Sequence, residues 1–219
     1  MTYLDDDTLL FTVTDRDCVE SVDLSALSQP ITYAGQCGSK GSNYEGHRIH
    51  DARITRPRGI LSPGENLIYF TTSAHNSVGI INSHTDQVTI LSTGLPRARM
   101  LTYEPHHNAL LVGVNHGIMR VNISDGNATW LSGSPQEGSG LNDSNNAQFI
   151  YPVDTVVVSD TAIIVSDRDN NRQGFIFLLI IISFERAVND CCHADRYCNV
   201  CYSPRYRAYS RIHKSFIAS

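Results

Sequence analysis

At 219 residues, with 41% hydrophobic and 18% charged side chains, the chain is long enough to bury a substantial core and too apolar for wholesale disorder. Its 17 basic and 22 acidic residues leave a net charge of −5, unevenly spread: residues 1–172 carry 11 basic against 19 acidic groups, or −8, and residues 173–219 carry 6 against 3, or +3. An acidic body argues against a phosphate-tracking surface, which needs clustered Lys and Arg, and the one local basic cluster, Arg53, Arg56 and Arg58, reads as a solvated loop.

Short β-type runs recur along the chain, each turning back on its neighbour: 9–14 with 19–24, 67–72 with 78–82, 110–114 with 118–123, and a last run at 163–166. A third strand follows each complete pair, at 31–34, 87–92 and 128–132, after turn-type residues such as Ser124-Asp125-Gly126-Asn127. No long stretch of helical periodicity competes with them.

The links between these units repeat as well. Gly38, Gly41, Glu45-Gly46, Ala52, Ile54 and Pro57 are echoed by Gly133, Gly138, Gly140, Asp143, Ala147, Phe149 and Pro152, and Gly94-Leu95-Pro96-Arg97 is a shortened version. Pro57, Pro96 and Pro152 therefore mark the starts of three consecutive units, with a period of roughly 40 to 50 residues that signals propeller blades. A glycine-rich stretch, then Ala-x-Ile/Phe-x-x-Pro, then a strand ending in Ser166-Asp167-Arg168-Asp169-Asn170-Asn171-Arg172 resembles the NHL-repeat family, best over Gly133 to Arg172. The resemblance implies a six-bladed ring when complete.

The fold expected is all-β: about three and a half blades of four-stranded antiparallel meander over residues 3–172, with residues 173–219 as a non-propeller tail, mistranslated or disordered. Asp15-Arg16-Asp17 and Asp167-Arg168-Asp169 recur at hairpins and so read as blade-structural, with Asp15, Asp17, Asp167 and Asp169 holding turns and neighbouring blades; Ser73 to Asn76 and Asn115-His116 depart from that signature. A partial ring leaves an apolar face open at each end, so the chain is expected to be a fragment or an incomplete gene model.

Cys18 and Cys37 lie symmetrically about the turn at Leu27-Ser28, their numbers having the same sum, which predicts a disulfide across the ladder. Three acceptor sequons, at Asn122, Asn127 and Asn142, agree with an oxidising, extracellular or secretory setting. The first residues, Met1 to Asp7, hold no basic n-region and no apolar h-region, so a signal peptide is expected upstream of an array that opens in mid-blade.

In the tail, Phe175 to Phe184 is too short to span a bilayer and reads either as a buried strand or as translated non-coding sequence. Cys191-Cys192-His193 and Cys198-x-x-Cys201 lack the spacing of a zinc site, and the Tyr and Arg residues from Tyr202 to Arg211 read as a disordered tail.

Catalytic residues should be singular within a repeat. The singular polar residues are His47, His50, Asp51, His75, His84, His106, His107 and His116, all in links or hairpin ends; none matches the histidine motif of the amidating lyases, and two or three missing blades would remove part of the carboxylate and Asn metal ring of the gluconolactonase type. No G-x-S-x-G elbow occurs. The expectation is an extracellular interaction or scaffold module whose propeller loops bind a protein or other extracellular ligand, with no catalytic residue, no metal, no cofactor, no nucleic acid and no membrane span. The alternatives are a metal-dependent propeller enzyme and, third, an RNA-binding propeller.

Overall fold

The computed structural model describes residues 1–26, 28–41, 44–64, 66–135, 149–159 and 162–167, together with the strand 176–180. The rest of the tail, including its cysteines, lies outside the described residues, as do Asn142, Asp169, Leu27 of the expected turn and most of the later link, including Gly138, Gly140, Asp143 and Ala147.

Among the described residues, sixteen strands form four antiparallel sheets. The first sheet holds β1 (Thr2–Tyr3), β2 (Thr8–Val13), β3 (Cys18–Asp23) and β4 (Ile31–Ala34), paired in chain order. The second holds β6 (Pro57–Gly64), β7 (Leu67–Thr72), β8 (Ser77–Asn82) and β9 (Gln87–Ser92), with a short β5 (His47–Arg48) added beside β9. The third is β10 (Leu101–Glu104), β11 (Ala109–Val114), β12 (Gly117–Asn122) and β13 (Ala128–Gly133), and the fourth is β14 (Pro152–Ser159), β15 (Ala162–Asp167) and β16 (Ile176–Ile180). The only helical turns among the described residues are 3₁₀ turns at Thr14–Arg16 and Pro105–His107, and no helix there is long and apolar enough to cross a membrane.

The first strands of successive sheets, β1, β6, β10 and β14, touch one another, so the sheets fan out from them. The core is three layers, each between two neighbouring sheets. Leu10, Val19 and Ala34 meet Ile68, Phe70 and Ile81; Tyr69 and Val78 meet Leu110, Val112 and Val121; Leu111 and Ile118 meet Ile163 and Val165. The second strands of the two inner sheets thus bury both faces, in β7 Ile68 and Phe70 on one side and Tyr69 on the other, whereas β2 buries only Leu10. For that reason β7 and β11 read as continuous apolar runs rather than alternating ones.

The link motif has a packing cause. Ile54, Leu95 and Phe149 each sit three residues before a buried Pro57, Ala98 or Pro152, and each is driven between two sheets, at 0%, 0% and 2% exposure. Pro57 and Pro152 begin first strands, where a missing N–H costs no ladder bond on the free edge. Pro96 lies two residues ahead of Ala98, the residue in the corresponding place, and its carbonyl accepts the Asn115 N–H at 3.0 Å.

Cys18 and Cys37 are joined, with a Cα–Cα distance of 5.0 Å. The ladder that brings them together differs from the symmetric one expected. Val19 pairs with Ala34 and Glu20 with Thr32, with a register shift between them, and Cys37 lies beyond the end of β4. The crosslink closes because Gly35, at φ +87°, turns the chain back against Cys18.

Candidate functional site

One end of the fan gathers the starts of the first strands and the turns that join second strands to third. There the backbone is stapled in the same way three times. Arg56, Arg97 and Tyr151, which immediately precede Pro57, Ala98 and Pro152, all adopt the left-handed conformation, with φ of 51°, 51° and 56°. In each case the N–H is taken by a turn of the preceding sheet: Arg56 donates to Asp17 Oδ1 at 2.8 Å, Arg97 to Asn76 Oδ1 at 2.7 Å, and Tyr151 to the Asn115 carbonyl at 2.8 Å. Asp17 and Asn76 are themselves left-handed, at φ 60° and 52°.

Asn76 therefore does what Asp17 does, although Ser73 to Asn76 departs from the Asp-Arg-Asp signature. The shared requirement is a side-chain oxygen on a residue that tolerates positive φ, which either Asn or Asp meets. Asp15 is exposed in the 3₁₀ turn, and Asp167 accepts the Ile150 N–H at 3.0 Å. Asp17→Ala removes the acceptor from a site only 2% exposed and places Ala at positive φ, so it should cost about 1–3 kcal/mol in chemical denaturation, whereas Asp17→Asn should stay within about 1 kcal/mol.

The staples fix where four arginines stand. Arg58 and Arg99 follow Pro57 and Ala98 by one residue, and a Cβ on Gly59 would lie 2.5 Å from the Arg99 carbonyl, so the starts of these two blades run side by side. Thr12 Oγ1 donates to the Arg58 carbonyl at 2.7 Å and Thr71 Oγ1 to the Arg99 carbonyl at 2.6 Å, the same bond in successive sheets. Arg97 Nη1 donates to the Tyr151 hydroxyl at 2.8 Å, and the Arg99 guanidinium lies 4.8 Å from the Tyr151 ring centroid. His116, 9% exposed, places its ring 6.2 Å from the same tyrosine. Arg58 Nε and Asn115 Oδ1 are buried without a hydrogen-bond partner among the described residues.

Four antiparallel sheets, fanned from their first strands and stapled turn to strand start, fix the architecture. The chain is part of a β-propeller. Virginiamycin B lyase from Staphylococcus aureus has the same fold at 15% identity and a TM-score of 0.51, covering 83% of this chain and 55% of that one. A chain of a nidogen–laminin complex matches at 14% identity and a TM-score of 0.50, covering 80% of this chain and 78% of that one. The propeller thus spans about half the length of the lyase. No family model matches the sequence, and no curated protein does.

The singular polar residues are scattered over the propeller. His50, Asp51 and His84 are exposed, and His47 lies on β5. His75 Nε2 is 3.1 Å from the Gly41 carbonyl. His107 faces Glu104 at 3.2 Å, beside the paired bonds of 2.6 and 2.7 Å that Glu104 accepts from Arg120. Among the described residues the one group with metal-ligand spacing is Cys18, Glu20 and Cys37, in which both sulfurs are spent in the disulfide and Arg16 holds Glu20 at 2.7 Å. Away from the stapled end, a recess of about 470 Å³ opens between β10 and β14 and is lined by Tyr103, Pro105, His106, Val156 and Val158.

Of the sequons, Asn122 and Asn127 stand exposed on the turn between β12 and β13. Asn122 Oδ1 accepts the Ser124 N–H at 2.7 Å, within its own sequon.

Proposed function

We propose that this propeller is an extracellular binding module of the NHL type, holding a protein or other extracellular ligand on the stapled face rather than transforming it. One observation carries the reading: residues from the starts of three successive blades, Arg56, Arg58, Arg97, Arg99 and Tyr151, are delivered to one face on backbone pinned by inter-blade hydrogen bonds. A rigid scaffold that presents non-repeating side chains at its turns suits recognition, because little ordering entropy remains to be lost on binding. The Cys18–Cys37 crosslink and the exposed Asn122 and Asn127 sequons support the extracellular setting.

The test is photocrosslinking by the whole chain in extracellular fluid from the source cells. Benzoylphenylalanine in place of Ala74, exposed on the stapled face, should yield discrete adducts; in place of Thr129, exposed on β13, it should yield none. Equal labelling from both positions, or none from Ala74, would count against the reading.

A further inference from the structure

We propose that the arginines of the stapled face recognise the carboxylates of an acidic peptide segment, an inference that rests on the binding reading above and names the group bound. In a body of net charge −8, Arg56, Arg58 and Arg97 have no carboxylate partner among the described residues. Three of the arginines elsewhere in the fold have such partners, Arg16 in Glu20, Arg48 in Asp86 and Arg120 in Glu104, while Arg53, exposed in the first link, has none among the described residues. Asp17, whose carboxylate accepts the Arg56 N–H, is 2% exposed and turned to that backbone.

Two further observations point to a ligand. Arg58 Nε is buried with nothing among the described residues to donate to, a state that costs about 1–3 kcal/mol and that the side chain would leave by turning outward to a ligand oxygen. Arg56 and Arg97 occupy left-handed backbone, φ 51° in both, where glycine would be unstrained; a long cation stands there in two successive blades despite a cost on the order of 1–2 kcal/mol each. The Tyr151 hydroxyl and ring hold Arg97 and Arg99 in place, so their planar forks are ordered before a ligand arrives.

A guanidinium fork matches a carboxylate with two parallel hydrogen bonds. The basic arc spans the starts of two blades and the surrounding body is acidic, so it suits one or two carboxylates on a short segment. A long polyanion would run out over repelling surface.

The probe is a fluorescein-labelled hexaglutamate peptide, titrated with the full chain and read by fluorescence anisotropy at low salt. Binding should weaken about tenfold or more in Arg58→Gln/Arg97→Gln and less in Arg58→Lys/Arg97→Lys, which keeps charge but loses the fork. Arg48→Gln, on the outer edge, should leave it unchanged. The proposal is overturned if the wild-type protein does not bind the peptide, if the Gln and wild-type proteins bind alike, or if a heparin-derived hexasaccharide binds more tightly. Should the Gln variant not fold, Lys binding equal to wild type has the same force. Peptide failure with intact crosslinking from Ala74 removes this inference alone; loss of crosslinking removes the binding reading itself.

Discussion

Phe70→Ala should lower the stability of the propeller by about 3–5 kcal/mol, the largest effect expected of any single side chain here. Phe70 is 0% exposed in the layer between the first two blades, and its ring covers Gly79 on the neighbouring strand so closely that a Cβ there would collide with it. Tyr44, from the link, tilts against it with ring centroids 5.8 Å apart and anchors its own hydroxyl on Ser77 Oγ at 2.6 Å; burial holds that hydroxyl's ionisation above the usual tyrosine range. Truncation therefore empties a site walled by strands on both sides and by a pinned link, which cannot collapse to refill it. Urea unfolding should show a lower midpoint with little change in slope; a cost below about 1 kcal/mol would mean that the layer repacks.

Loss of the crosslink ranks second. Cys18→Ser/Cys37→Ser opens a loop with a sequence separation of 19 and should cost about 3 kcal/mol, chiefly by freeing the unfolded chain. The first blade should feel it most, since Gly35, Gly38 and the link toward Tyr44 are placed by that closure: Gly38 donates its N–H to the Arg16 carbonyl at 2.6 Å and Gly35 to the Ile49 carbonyl at 2.8 Å. Hydrogen exchange of the wild-type and variant proteins would locate the effect. Loss of protection spread evenly over all four blades would argue that they unfold as one unit.

Most of the strands were legible because a propeller strand buried on both faces must be apolar along its length, as Ile68 to Phe70 and Leu110 to Val112 are. The first strand of each blade was not. Pro57-Arg58-Gly59-Ile60-Leu61-Ser62-Pro63-Gly64 holds two prolines and two glycines and no alternation, the composition of a link, yet it forms β6. It does so as an edge strand at the centre of the fan, where half the backbone needs no ladder partner and where Gly59 lets the Arg99 carbonyl approach. The arginines were missed for a related reason. Read along the chain, Arg53, Arg56 and Arg58 form a solvated loop, and Arg97 and Arg99 flank a minor link; nothing local says that the two pairs share a face.

What the chain determined by itself was whatever depends on neighbours within about twenty residues: the hairpins, the Ala-x-Ile/Phe-x-x-Pro wedge, and the partnership of Cys18 with Cys37, though not its ladder register. Tertiary structure decided the rest. The register shift and the turn at Gly35 that bring Cys37 back to Cys18, the equivalence of Asn76 with Asp17, and the approach of Gly59 to the Arg99 carbonyl and of Arg97 to Tyr151 all lie beyond local pattern. The last three depend on one sheet's turn bonding to the start of the next sheet's first strand, a contact set by packing across the core layers, which local periodicity does not encode.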